Sequence, residues 1–404
     1  MRTSSSLYIE GMNQRSVQFP AAFSWGTSTS AYQIEGGGTN TDWWRFERAP
    51  GTVAVEECGD ACDSWNRYEE DLDLLVRFGL DSFRLSIEWA RIEPVHGQFS
   101  SEAIDHYRDV LLACHARSIL PVVTLHHFTL PLWVADAGGF ENPDIVQWLA
   151  DYARVVGREL GEHIGIACTI NEPNIVAVMG YLIGAFPPQV QDRDRFVKVN
   201  EMMRHAHIAM RNALRESPGT YPIGLPLSMQ EYEALPGGEE IMHSMREEME
   251  DKYLRILGDD DYVGVQCYTK IQLGPDGMVL DSPGERTEMG YLYWPQCVEA
   301  TVRRAAEFTT LPIIVTENGI GTNDDEQRVR YLHDALRGLA RTIDDGIDVR
   351  GYFQWSLLDN FEWTLGYAPK FGIVSVDRAT FERTPKPSAE WYAHAAKNFP
   401  DGFR

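Results

Sequence analysis

The sequence lacks the features that would point to a membrane-bound, secreted or nucleic-acid-binding protein. No run approaches the roughly 18 consecutive apolar residues that a membrane-spanning helix requires. The first part of the chain contains no apolar core of about 7–15 residues, which a secretory signal would need. Basic side chains number 36 against 60 acidic ones, and the formal net charge of −24 disfavours binding to phosphate backbones. We expect a soluble, cytoplasmic protein with no membrane or nucleic-acid partner.

Cysteine is sparse and follows no regular spacing. The six cysteines include no C-x-x-C pair, and no nearby Cys or His completes a zinc site with Cys58 and Cys62. We expect buried, reduced thiols, no metal and no cofactor. The run from Asn323 to Glu326 is acidic, but we expect a helix N-cap there rather than a metal site.

Short apolar runs alternate with longer segments of helical period. The candidate strands are Phe23–Ser28, Ser82–Ile87, Leu120–Leu125, Ile166–Ile170, Pro222–Leu227, Tyr262–Tyr268, Pro312–Thr316 and Val349–Trp355. Amphipathic patterns lie between them, for example at Tyr68, Leu72 and Leu75, and at Val329, Leu332, Leu336 and Leu339. Eight strand–helix units without a Gly/Ser- or Pro-rich linker predict an α/β protein with a single (β/α)8 TIM barrel.

Polar and aromatic residues follow several of these strands, at the barrel end where active sites lie. Glu172 and Glu317 end the fourth and seventh strands. Hydrolysis of a glycosidic bond needs such a pair, one carboxyl protonated and one ionised. Arg84 is expected to hold one glutamate ionised, and Tyr268 to donate a hydrogen bond to the same carboxylate.

The other strand ends suit a neutral sugar. Flat apolar faces for a pyranose are offered by Trp355, Trp363, Trp25 and Tyr32. Hydrogen-bonding groups for its hydroxyls are offered by Gln33, His127, Asn171 and Glu362. Each has a simpler reading: the glutamates as solvated loop carboxylates, Arg84 as an interior ion pair, and His126 and His127 as core histidines. Adjacent strand residues face opposite ways, so one metal ion would not bind both histidines.

The chain resembles glycoside hydrolase family 1, the β-glucosidase family, from Phe19 to Tyr392. The motifs that carry the resemblance are Phe23–Gly26, Tyr32–Gly36, Phe83–Arg91, Val123–His127, Thr169–Pro173, Ile314–Gly319 and Trp355–Trp363. The barrel is expected over residues 17–404, and residues 1–16 form an N-terminal extension that need not be ordered.

The resemblance implies catalysis by Glu172 as general acid/base and Glu317 as nucleophile, with retention of β configuration. It implies support of the nucleophile by Arg84 and Tyr268. Sugar binding is implied for Gln33, His127, Asn171, Trp355, Glu362 and Trp363. The substrates would be small β-glycosides or short oligosaccharides, with β-glucosidase activity and accompanying β-galactosidase and β-fucosidase activity.

Some positions depart from the family pattern. Gln266 replaces a common asparagine and Phe128 a common tryptophan, which affects contacts around the nucleophile and the aglycone. The 6-phospho-β-glucosidase branch holds a phosphate with lysine and tyrosine where this chain has Pro369 and Phe371, and the carboxylate of Glu362 would repel a phosphate. Three alternatives stay open: a transglycosylating β-glycosidase, a 6-phospho-β-glucosidase and a catalytically silent sugar-binding barrel. The preferred sugar and the oligomeric state are left open.

Overall fold

The computed structural model describes residues 19–399, so the predicted extension over residues 1–16 lies outside the described part. Eight parallel strands pair in chain order, and the first pairs with the eighth to close a barrel. The strands are β1 Ser24–Ser28, β2 Ser82–Ser86, β3 Leu120–His126, β4 Ile166–Ile170, β5 Ile223–Ser228, β6 Tyr262–Cys267, β7 Ile313–Asn318 and β8 Val349–Trp355. The predicted TIM barrel is confirmed, and every predicted strand end lies within two residues of the observed one.

Helices lie around the barrel, and each of the longer ones except Glu239–Arg246 has a buried face. The outer helices are α1 Ser64–Phe78, α2 Ser101–Ala116, α3 Ile145–Leu160, α4 Arg193–Arg215, α5 Glu239–Arg246, α6 Cys297–Ala306, α7 Asp325–Asp344 and α8 Pro387–Asn398. The predicted stripes are confirmed: Leu72 and Leu75 are buried on α1, as are Leu332 and Leu336 on α7. Asp324 caps α7 by accepting from the backbone N–H groups of the first turn, as expected.

Shorter elements occupy the connections. Short α-helices span Ala31–Glu35, Asp42–Glu47, Trp89–Ile92, Leu132–Asp136, Pro173–Ala177 and Lys252–Leu254, and 3₁₀ or π turns span Gly139–Glu141, Gly161–His163, Val178–Ile183, Glu247–Asp251, Leu257–Asp259 and Trp363–Leu365. Small sheets pair Glu231–Ala234, Lys270–Gly274 and Gly277–Met278, and Val374–Val376 with Arg383–Pro385.

The barrel interior is a packed core rather than a pore. An apolar cluster contributed by several strands fills its lower part: Val122, Ile166, Cys168, Tyr262, Ile314 and Phe353. In barrels of this fold, active sites lie at the C-terminal end. All six cysteines are buried and unpaired. No helix between residues 19 and 399 is long and apolar enough to cross a membrane.

Candidate active site

The strand ends bring the ten predicted site residues to one end of the barrel. Gln33 lies on the short helix after β1, and Arg84 points into the barrel from β2. The others lie at or beyond the ends of later strands: His127, Asn171, Glu172, Tyr268, Glu317, Trp355, Glu362 and Trp363. No single segment of the chain contains the site, so its geometry depends on barrel closure.

Glu317 reaches the interior through an irregularity in β7. Ile314 faces the interior core, so strict alternation would turn Thr316 inward and Glu317 outward. The pairing of β7 with β6 shifts register between Val315 and Glu317. A bulge of this kind redirects the side chains that follow it. The Glu317 carboxylate consequently meets Arg84 inside the barrel.

Three side chains donate hydrogen bonds to the Glu317 carboxylate. Arg84 Nη1 and Gln266 Nε2 both donate to Oε1, the latter over 3.0 Å. The Tyr268 hydroxyl donates to Oε2 over 2.6 Å. Arg84 is fully buried and Glu317 is almost so, which strengthens their electrostatic attraction. The contacts expected of Arg84 and Tyr268 are therefore present.

Glu172 has a different environment. Its backbone is left-handed, with φ of 41°, and its N–H donates to the Pro226 carbonyl over 3.0 Å. Trp363 also has positive φ, at 52°. Such backbone strain costs about 1–3 kcal/mol at a non-glycine residue and concentrates at functional sites. Ser228 lowers the pKa of the Glu172 carboxyl against the effect of burial, and no cation forms an ion pair with that carboxyl among the described residues.

These environments separate the two carboxyls electrostatically. Burial, and then the neighbouring Glu317 charge, raise the pKa of Glu172 well above its ordinary value. Burial also raises the pKa of Glu317, but Arg84, Tyr268 and Gln266 act in the opposite direction. When the pair carries one proton, that proton is therefore on Glu172 and the negative charge is on Glu317.

His127 presents an unused hydrogen-bond donor. Burial holds the pKa of His127 well below its usual range, and the Arg84 charge adds to the effect, so the imidazole is neutral. Its Nε2 lies 3.2 Å from Asn171 Nδ2, which can only donate. This contact assigns the His127 proton to Nδ1, which has no partner among the described residues. A sugar hydroxyl would find a donor there.

Gln33 and Glu362 contact each other at the site. Gln33 Nε2 donates to the Phe361 carbonyl over 2.6 Å and lies 3.5 Å from Glu362 Oε2, while Gln33 Oε1 accepts from Ser30. Burial and the Glu317 charge raise the pKa of Glu362 to about 8. The Glu362 carboxyl is therefore mostly protonated at neutral pH, and both donates and accepts.

Two indole rings frame the site. The Trp355 and Trp363 rings lie 6.1 and 6.2 Å from the His127 ring, with interplanar angles of 17° and 15°. Trp363 also packs against Trp43 and Phe128, at 4.5 and 5.0 Å between centroids. These nearly parallel rings form rigid apolar walls of the kind that a pyranose face requires.

Two aromatic residues named as sugar platforms do not fill that role. Trp25 is the second residue of β1, and its ring packs on Phe23 near the opposite end of the barrel. Its backbone N–H donates to Asp81 Oδ1 over 2.9 Å. Tyr32 stacks on Trp363 at 6.0 Å, and its hydroxyl donates to Glu47, so it supports the Trp363 ring. Trp25 lies near the beginning of β1, whereas the site forms where the strands end, and Tyr32 follows the strand but packs against Trp363.

His126 and His127 face different surroundings, as strand alternation predicts. The His126 ring packs edge-on against Phe140 at 5.5 Å, and burial lowers its pKa to about 3. Within residues 19–399, no group of three or more His, Cys, Asp or Glu side chains is arranged to hold a metal ion.

Two further residues lie at the site without having been predicted from the sequence. Gln266 was noted only as a departure from a family pattern, yet it contacts both Glu317 and Asn171. Strand alternation places Gln266 on the same face as Tyr268, so the signal was available. Ser228 ends β5, the one strand for which no site residue was proposed, and its position there was the available signal.

Comparisons with known proteins identify the family and the fold of the chain. The model of glycosyl hydrolase family 1 matches residues 15–270 and 255–399. Beta-glucosidase A of Acetivibrio thermocellus is 31% identical over 442 residues, covering 95% of this chain and 99% of that protein. The crystal structure of the beta-glycosidase BGL167 has a TM-score of 0.89 and 40% identity, covering 94% and 97% of the two chains. The Thermotoga maritima beta-glucosidase in complex with glucoimidazole has a TM-score of 0.88 and 28% identity, covering 94% and 98%.

Barrel, site geometry and relatives lead to one conclusion. The chain belongs to glycosyl hydrolase family 1 and is a retaining glycoside hydrolase of the β-glucosidase type.

Proposed function

We propose that this protein removes non-reducing terminal β-D-glycosyl residues through a covalent glycosyl-enzyme intermediate. The observation that carries the proposal is the contrast between two buried carboxyls. Glu317 is paired with Arg84, whereas Glu172 has no cation partner within residues 19–399 and has a strongly raised pKa. A nucleophile must be ionised and a general acid protonated, and these environments favour that division.

In the first step, Glu317 attacks the anomeric carbon while Glu172 gives its proton to the leaving oxygen. The bond between the anomeric carbon and the leaving oxygen breaks, and an ester forms on Glu317. In the second step, Glu172, now ionised, removes a proton from water, which displaces Glu317 and releases the sugar. Two inversions at one carbon give retained β configuration.

The proposed glycone is a neutral hexose. The Nδ1–H of His127, the free N–H of Asn171 and the Gln33–Glu362 pair would bind hydroxyls, and Trp355 would support the sugar face. The relative that binds glucoimidazole supports a glucose-sized glycone. The accompanying β-galactosidase and β-fucosidase activity and the cytoplasmic location stay predictions.

A phosphorylated glycone fits the site poorly. The Phe371 ring packs against Tyr268 at 5.9 Å and is buried, so it offers no hydroxyl to a phosphate. The carbonyl of Lys370 accepts from Arg328 and from the Thr322 N–H, which ties this stretch to α7. These contacts favour the neutral-sugar enzyme over the 6-phospho-β-glucosidase.

The test is a panel of nitrophenyl β-glucoside, β-galactoside, β-fucoside and β-xyloside, with the α-glucoside as the stereochemical control. We expect turnover of the neutral β-glycosides and none of the α-glucoside. Binding of sugars without turnover of any substrate would favour a silent barrel. A molar excess of released nitrophenol over free sugar would instead indicate transglycosylation.

A further inference from the structure

A closed ring of hydrogen bonds lies at the centre of the site. Arg84 donates to Glu317 Oε1 from Nη1 and to Asn171 Oδ1 from Nη2, the latter over 2.6 Å. Gln266 Nε2 donates to the same two oxygens, over 3.0 Å to Glu317 and 2.9 Å to Asn171. Two donors thus bridge one pair of acceptors from two directions.

The number of hydrogens fixes the orientation of each amide. A glutamine amide nitrogen carries two hydrogens, which allows one for each acceptor. An amide oxygen has two lone pairs, and in Asn171 these meet Arg84 and Gln266. A flipped Asn171 would set its own N–H groups against both donors. Its nitrogen therefore faces away from the ring, with one hydrogen directed to His127 and one without a partner among the described residues.

The two bridges differ in what they supply. Arg84 brings a full positive charge, which opposes the effect of burial on the Glu317 pKa. Gln266 is neutral, and its Oε1 is buried without a hydrogen-bond partner among residues 19–399, so its polar contacts there are the two that it donates. Tyr268 holds Glu317 and His127 contacts Asn171, but each of these contacts reaches one of the two residues. Gln266 adds to Arg84 a second direct link between Glu317 and Asn171, and this link restricts their relative orientation.

We propose that Gln266 is a positioning residue that couples the hydrogen bond between Asn171 and the substrate to the orientation of the Glu317 carboxylate. The inference rests on the proposed function, in which Glu317 attacks the anomeric carbon. The hydroxyl beside that carbon, at C2, is the one within reach of an amide that shares its partners with Glu317. A hydrogen bond from Asn171 to the 2-hydroxyl would fix the position of Asn171. Through Gln266, it would also keep the Glu317 carboxylate oriented toward the anomeric carbon.

Such coupling is measurable as non-additivity between a change in the enzyme and a change in the substrate. The enzyme change is Gln266→Met, which keeps the side-chain length and removes both N–H donors. Glu317 and Asn171 keep Arg84 as a partner, so no acceptor is left unpaired. The substrate change is from nitrophenyl β-glucoside to its 2-deoxy analogue, with rates corrected for spontaneous hydrolysis.

Gln327→Met is the matched control. Gln327 is buried on α7 and also donates to a carboxylate, that of Glu285 over 2.7 Å, but lies outside the site. In the native enzyme and in this control, removal of the 2-hydroxyl should lower kcat/KM by the same factor. In Gln266→Met that factor should shrink by at least about fivefold, which is within the range of measured couplings between contacting groups. Equal factors in all three proteins would overturn the proposal.

Two further measurements make the result decisive. A thermal unfolding scan shows whether Gln266→Met is folded. If Gln266→Met is not folded, Gln266→Asn replaces it in the experiment. The asparagine variant keeps the amide group, but its side chain is one methylene shorter. In Gln266→Asn, removal of the 2-hydroxyl should lower kcat/KM by a smaller factor than in the native enzyme. An equal decrease in the two proteins would contradict the inference. Labelling of the native enzyme by a 2-fluoro glycoside tests Glu317 itself, so absence of label there would count against the proposed function and not against Gln266.

Discussion

The Tyr268 hydroxyl covers the oxygen of Glu317 that Arg84 leaves free, at 2.6 Å from Oε2. Burial, and then the Glu317 and Glu172 charges, raise the pKa of Tyr268, so the phenol stays a donor at working pH. Each oxygen of the proposed nucleophile therefore meets a donor before substrate binds. Preorganisation of this kind lowers the reorganisation needed during reaction.

Tyr268→Phe should raise the pKa of Glu317. The lost hydrogen bond favours the ionised carboxylate, so the acid limb of the kcat/KM profile should move to higher pH. A hydrogen bond to a charged group contributes enough for a fall in kcat/KM of about 10- to 100-fold. A full pH profile of the variant is the measurement. An unmoved acid limb would mean that Tyr268 does not affect ionisation of the nucleophile.

Arg84→Met should make stability depend on pH. Without its cation, the buried Glu317 has a folded-state pKa further above its unfolded value, so the folded protein binds the proton more tightly. Stability is then retained below the unfolded pKa and lost as pH rises through the folded pKa. Denaturant unfolding at pH 5 and pH 8 should differ by up to about 3–5 kcal/mol more than in the native protein.

The control for this prediction is Arg77→Met. Arg77 pairs with Glu390 at 2.6 Å, with both side chains more than half exposed. Solvent-exposed pairs of this kind contribute about 0–1 kcal/mol. A similar pH dependence in both variants would show that the effect is not specific to the buried pair.

Glu172→Ala should separate substrates by their leaving groups. An alkyl glycoside needs protonation of the leaving oxygen, and loss of the general acid should slow its cleavage about 10²- to 10⁴-fold. A dinitrophenyl glycoside leaves without that help, so its glycosylation step should change little. Pre-steady-state release of dinitrophenol reports that step alone. Equal slowing of both substrates would remove Glu172 from the acid role.

The glycone site should discriminate against negative charge. The positive charge of Arg84 is already paired with Glu317, and the protonated carboxyls of Glu172 and Glu362 bring no positive charge, so a buried phosphate dianion would lack a counter-charge from these residues. Nitrophenyl 6-phospho-β-glucoside should show kcat/KM at least about 100-fold below that of the neutral glucoside, equivalent to about 3 kcal/mol. A preference for the phosphorylated substrate would contradict the interpretation of Glu362 and Phe371.

The barrel could be predicted because parallel strands buried on both faces consist of nearly continuous apolar residues, such as Ile313–Val315. The identity of most site residues could be predicted, because the ends of the predicted strands and the family motifs mark their positions in the sequence. Sequence alternation could not show the bulge that turns Glu317 inward, since a bulge depends on pairing with neighbouring strands. The prediction that Trp25 offers its ring to the sugar was wrong, because Trp25 is the second residue of β1 and its ring packs on Phe23, far from the end of the strand.

The central claim is that Glu317 forms the covalent bond to the sugar. Incubation with dinitrophenyl 2-deoxy-2-fluoro-β-glucoside, followed by mass spectrometry of the digested protein, tests it most directly, because the fluorine slows breakdown of the intermediate. We expect one adduct per chain on the peptide that contains Glu317, with no adduct in Glu317→Gln. An adduct on another carboxylate, or turnover without any adduct in the native protein, would contradict it.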